Sequence, residues 1–209
     1  MLRRRIVVGA TLAVGATLLG LSLAVRPGDR VFYALTLALA ATWATGAAVA
    51  GPLPLGWVGG RSRRHRPLLS PILVGLVAVA VFTAGAPLVA QVPVLRASLD
   101  EVLDYARYAS VPVVALITMA SGVAEELFFR GALFAAVAPT RPVLVTTAIY
   151  ALTTVTTGNV MLVVAAVLLG LLVGVQRQLT GGGLAPALTH VTWSLGMLLI
   201  LPPLMAALR

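Results

Sequence analysis

The sequence predicts an all-α protein, a multi-pass transmembrane helix bundle of about seven spans, on three observations. Of its 209 residues 60% are hydrophobic and only 10% are charged. Mean hydropathy is +1.03, far outside the range of ordinary soluble domains. Apolar runs of roughly 18 or more residues, each long enough to cross about 30 Å of hydrocarbon, recur along nearly the whole length. A single membrane domain over 1–209 follows, with the lipid bilayer as its solvent.

The first segment runs from about Ile6 to Val25 behind Arg3, Arg4 and Arg5. A charged start before an apolar run also describes a signal peptide, but this run is too long, and no small-x-small cleavage site precedes Arg26. An uncleaved span is expected. Segment two is about Val31 to Ala50 and segment three about Leu68 to Ala90, so that 1–91 holds the N-terminal spans. The Pro/Gly-rich stretch between them ends in Arg61, Ser62, Arg63, Arg64, His65 and Arg66, a solvated loop.

From Val92 to Arg107 charged residues alternate with Val94, Leu95, Leu99, Val102, Leu103 and Ala106, which predicts an interfacial amphipathic helix. Segment four spans about Tyr108 to Val137, and Pro139 with Pro142 separates it from segment five, about Val143 to Thr157. Gly158 and Asn159 turn the chain into segment six, about Val160 to Val175. Gln176 to Gly183 reads as a polar connection and segment seven as about Leu184 to Leu201. Segments five and six are short, which leaves a tilted or re-entrant hairpin open.

All fifteen cationic side chains are arginines. With the N-terminus inside, the cytoplasmic positions hold Arg3, Arg4, Arg5, Arg61, Arg63, Arg64, Arg66, Arg141 and Arg177, against Arg26, Arg30, Arg96, Arg107 and Arg209 outside. This obeys the positive-inside rule and predicts a multi-pass protein of the plasma membrane with a cytoplasmic N-terminus. The basic surplus needs no nucleic-acid partner. There are no cysteines, so thiolate chemistry and sulfur-held zinc are excluded.

Glu125 and Glu126 are the only acids deep in an apolar segment, where carboxylates are costly and normally functional. Glu126 and Arg130 stand four apart with the acid N-terminal, the favourable order for a helical ion pair. Glu125, about 100° around the helix, has no sequence-local cation and suits general-base work on a trapped water. A buried polar clasp with Arg130 is the structural alternative. His190 lies inside segment seven at a comparable depth, with Ser194 one turn later. Thr153, Thr154, Thr156 and Thr157 are expected to bond carbonyls of their own helix. Gly181, Gly182 and Gly183 lack the lysine of a phosphate loop.

The segment from Glu125 to Arg130 resembles the Glu-Glu-x-x-x-Arg motif of the CAAX-protease and bacteriocin-processing family of intramembrane endopeptidases. Leu184 to His190 resembles that family's last motif. The resemblance covers roughly Pro112 to Leu201 and implies a protease-like catalytic core over 108–201, with a chamber opening toward the cytoplasmic side. It implies Glu125 as the water-activating base, Glu126 and Arg130 as its supports, and His190 as oxyanion stabiliser or metal ligand. Two departures stand out. The middle motif, an aromatic residue followed four positions later by histidine, is matched by Tyr150 and Thr154, and the asparagine of the last motif is replaced by Ser194.

Thr154, Ser194 and Asn159 are therefore supporting candidates only. A site of Glu125, Thr154, His190 and Ser194 offers two good zinc ligands where zinc takes at least three, so whether metal binds stays open and glutamate catalysis without metal is favoured. The expected function is intramembrane hydrolysis of a peptide or membrane-protein segment near the cytoplasmic side. The alternatives are a catalytically degenerate relative that binds peptide or protein partners, and a transporter with a proton-accepting glutamate.

Overall fold

A computed structural model describes residues 2–59, 64–108, 110–137 and 141–208. Arg61, Ser62, Arg63, Pro139 and Arg209 lie outside the described residues. The described chain is all-helical: α1 Leu2–Ala24, α2 Arg30–Ala50, α3 Leu69–Gln91, α4 Pro93–Arg107, α5 Val111–Val137, α6 Pro142–Val155, α7 Val160–Thr180 and α8 Leu184–Ala207. Six of these are long and apolar enough to cross a membrane, and α6, at 14 residues, is the short seventh.

Two sequence-based bounds change. Segment six is a full-length helix of 21 residues that runs on through Gln176 and Arg177 to Thr180, so only Gly181–Gly183 form the connection. Gly181 ends α7 at φ 71°, the left-handed C-terminal position that glycine fills without a side-chain clash. Segment seven likewise extends past Pro202 and Pro203 to Ala207.

Small residues set how closely the helices approach. α1 and α2 form an antiparallel hairpin in which the Trp43 indole lies over Gly15 and Thr11 lies over Gly46; a Cβ on either glycine would fall 2.1 or 2.3 Å from those side chains. Close backbone approach at glycine replaces the hydrophobic drive that helices lack inside lipid. Trp43 then packs on Phe128 and Phe129 of α5, with ring centroids 4.7 and 5.1 Å away. α3 and α8 pair through Gly75 against Thr192 and Gly196 against Val79.

The two ends of the bundle differ in character. At the N-terminal end the loop after α2 docks on the turn before α8. Gly183 N donates to Pro54 O at 2.9 Å, and Leu184 N donates to Leu55 O at 3.1 Å. Gly182 presses so close to Gly56 that a Cβ would lie 2.0 Å from its nitrogen. Arg66 stacks 3.5 Å over Trp57, and His65 is exposed, as a loop residue should be.

At the opposite end lies α4, amphipathic as predicted, with Leu99, Leu103 and Tyr105 buried. Tyr105 donates to Leu23 O at the end of α1 at 2.9 Å, and burial, with Glu101 nearby, pushes its phenol above the ordinary value. Arg107 bridges Asp104 and Asp100 at 2.8 and 3.1 Å.

Candidate active site

α5 carries the acid pair about 21 Å from its start at Val111, in the middle of the bundle. Directly after Glu126 the helix widens into a π-helical turn, Leu127–Leu133, a form that is rare and concentrates at functional sites. The widened turn keeps the predicted spacing of the ion pair. Arg130 Nη1 donates to Glu126 Oε1 at 3.0 Å, and both side chains are 0% exposed.

α7 supports this turn from outside. Arg130 Nη2 donates to Gly170 O at 3.2 Å, where a Cβ on residue 170 would lie 3.3 Å from the same nitrogen. Arg177 Nε in turn donates to Arg130 O at 2.6 Å, and its guanidinium lies 4.9 Å over the Phe134 ring. Neither contact was visible from sequence, where Arg177 reads as a charge at a loop.

α8 brings in the histidine. Thr189 Oγ1 donates to Pro71 O of α3 at 2.8 Å and fixes the register of α8, so that His190, the next residue, points at α5. His190 Nδ1 stands 2.7 Å from Glu126 Oε1, the oxygen that already holds Arg130. Glu126 therefore joins an arginine and a histidine through one oxygen, while its Oε2 has no partner among the described residues.

Glu125 faces elsewhere. It lines a cavity of about 180 Å³ together with His190, Phe129, Tyr150, Thr154 and Trp193. Leu19, Thr157 and Leu162, near the α4 end, also line it. Trp43 and Leu19 show that the N-terminal spans contribute to its wall. The Tyr150 phenol donates to Glu125 Oε2 at 2.7 Å. Its ring also packs on Phe129, centroids 4.7 Å apart, and under the Arg130 guanidinium at 4.9 Å. In the sequence Tyr150 stands out only as an aromatic motif position. Its phenol, a polar group in the middle of an apolar helix, is the signal that could have marked it.

The supporting candidates separate. Thr154 reaches the cavity, but its hydroxyl donates to Tyr150 O of its own helix at 2.9 Å. Ser194 is half-buried one turn beyond His190, and its hydroxyl bonds to no described residue. Asn159 is placed away from the cavity lining. It caps α7 by accepting from Met161 N and Leu162 N at 3.1 and 3.2 Å, and it donates to Ser98 O and Glu101 Oε2 of α4 at 2.7 and 2.9 Å. Its role there is to join the α6–α7 turn to the amphipathic helix.

As a metal centre the donor set is poor. Glu126 Oε1 and His190 Nδ1 are engaged with each other, and the described residues contain no group of three or more His, Cys, Asp or Glu side chains able to hold an ion. Zinc with fewer than three protein ligands is unusual, so these residues do not fit it. What they do offer is a carboxylate at a cavity, with one oxygen held by a phenol, beside an imidazole oriented by a second carboxylate.

Residues 107–196 match the family described as Rce1-like, type II CAAX prenyl endopeptidase Rce1-like, which is consistent with the CAAX-protease and bacteriocin-processing family. The matched stretch contains Glu125, Glu126, Arg130, Tyr150, Thr154 and His190. No curated protein and no solved structure matches the chain.

Proposed function

We propose, from the match of residues 107–196 to the Rce1-like family of type II CAAX prenyl endopeptidases, an intramembrane endopeptidase in which Glu125 activates water against a peptide carbonyl. The observation that carries this reading is Glu125 lining an interior cavity, next to an imidazole held by Glu126. Water in the cavity gives a proton to Glu125, and the hydroxide adds to the carbonyl carbon. The carbon–nitrogen bond then breaks as Glu125 returns that proton to the departing amine, leaving a carboxylic acid and an amine.

His190 suits the oxyanion. In the doubly protonated ring Nδ1–H points at Glu126, and Nε2–H is available to the carbonyl oxygen as negative charge develops there. Glu126 and Arg130 hold that ring without touching substrate. His190 stands about 9 Å into α8, which supports hydrolysis nearer the end of the bundle that holds the N-terminus, the end the arginine bias assigns to the cytoplasm. The substrate is a peptide or membrane-protein segment, and prenylated C-terminal peptides are the class the family's name puts first.

Purified full-length protein in lipid nanodiscs should cleave a prenylated C-terminal peptide, and Glu125→Ala should lower turnover about 100-fold or more. Equal turnover by both proteins would remove Glu125 as the base. A wild type that cleaves nothing, yet binds the peptide equally well with Glu125→Gln, would instead support the non-catalytic relative to which Thr154 and Ser194 point.

A further inference from the structure

The acid proposed as base is held by a phenol at the aromatic position of the middle motif, a position to which the family resemblance gives no role. The Tyr150 phenol donates to Glu125 Oε2 at 2.7 Å, and Glu125 Oε1 has no hydrogen-bond partner among the described residues. The tyrosine itself cannot swing freely. Its ring is packed against Phe129 on one side and the Arg130 guanidinium on another, and Arg130 is fixed by Glu126 and Gly170. The neighbouring hydroxyl that could compete for the carboxylate, that of Thr154, spends its proton on Tyr150 O.

A carboxylate in a cavity turns about two side-chain torsions and one terminal torsion that is broad and nearly two-fold. A base must keep one oxygen within reach of the water it deprotonates, and a misplacement of about 1 Å is costly to the rate. A rigid phenol on Oε2 removes that freedom and leaves Oε1 as the oxygen presented to the cavity.

We propose that Tyr150 is the positioning residue of this site: its phenol clamps Glu125 Oε2 so that Oε1 takes the proton from water. The inference rests on the endopeptidase reading above for its reaction, and on the phenol–carboxylate contact for its geometry. Because Tyr150 acts through Glu125, its loss should appear in kcat and leave KM unchanged.

The test compares wild type, Tyr150→Phe and Tyr33→Phe in nanodiscs, the last removing a phenol from α2 that does not line the cavity. On a prenylated peptide, Tyr150→Phe should lower kcat about tenfold or more at constant KM, as expected for losing a hydrogen bond to a charged group, and Tyr33→Phe should match wild type. A second readout needs no turnover. The infrared carboxyl bands of Glu125, assigned by their loss in Glu125→Gln, should shift in Tyr150→Phe and stay in place in Tyr33→Phe. Unshifted bands, an unchanged kcat, or a raised KM at constant kcat would each overturn the proposal. If wild type cleaves nothing, the endopeptidase reading fails, and the infrared bands alone then decide whether Tyr150 holds Glu125.

Discussion

Glu125 and Glu126 are neighbours in sequence with opposite surroundings. Glu126 is enclosed by Arg130 and His190, whereas Glu125 opens to a cavity with only a phenol on it. Their responses to substitution should differ accordingly. Removing one partner of a buried ion pair leaves the other charge uncompensated, which typically costs about 3–5 kcal/mol. Arg130→Met should therefore lower stability by about that much in equilibrium unfolding from detergent micelles, whereas Glu125→Gln, which keeps a group able to accept the Tyr150 proton, should change it by less than about 1 kcal/mol. Comparable losses in both variants would contradict the assignment of Glu126 as the structural acid. The Glu126–Arg130 pair was legible in the sequence because a spacing of four is a property of a single helix. The His190 and Tyr150 contacts were not, because each depends on how α5 meets another helix, and sequence spacing carries no information on that register.

Helix limits follow from apolar run length, and most were readable to within a few residues. The exceptions are the C-terminal part of α8, which runs past Pro202 and Pro203 to Ala207, and that of α7, where Gln176, Arg177, Gln178 and Thr180 look like a loop. The α7 residues stay helical because Arg177 turns inward and bonds Arg130 O at 2.6 Å, while Gly181 supplies the left-handed stop. The π-helical turn of α5 had no sequence signal at all, since seven residues are too few to shift an apolar period. That turn and Arg177 belong together, because the guanidinium satisfies a carbonyl on the widened segment from a different helix. Arg177→Met keeps much of the apolar stem but leaves a buried carbonyl without its donor, a change worth about 1–3 kcal/mol. Hydrogen exchange followed by mass spectrometry should then show faster exchange in peptides covering 127–133, with the α3–α8 pair unaffected. Uniform loosening of every helix would mean that Arg177 braces the bundle generally and not this turn.

Six long helices and the shorter α6 make up the described bundle, and their end contacts agree on one polarity. The α2–α3 loop meets the turn before α8, while the ends of α1 and α6 meet α4 through Tyr105 with Leu23 O and Asn159 with Ser98 O. Among the described residues the first end collects Arg3, Arg4, Arg5, Arg64, Arg66, Arg141 and Arg177, and the α4 end Arg26, Arg30, Arg96 and Arg107. By the positive-inside rule, a bias of this sign predicts that the arginine-rich end faces the cytoplasm. Since the chain has no cysteine, single thiols can report the orientation without background. Arg26→Cys and Arg64→Cys both replace exposed side chains outside the helices, one at each end. A membrane-impermeant maleimide should label Arg26→Cys in intact cells and Arg64→Cys only after permeabilisation. The reverse pattern would invert the bundle and move the His190 layer to the outer half of the bilayer, so that any peptide cleaved there would have to approach from outside. The α4 end would then face the cytoplasm, with the acidic cluster of Asp100, Glu101 and Asp104 beside its four arginines.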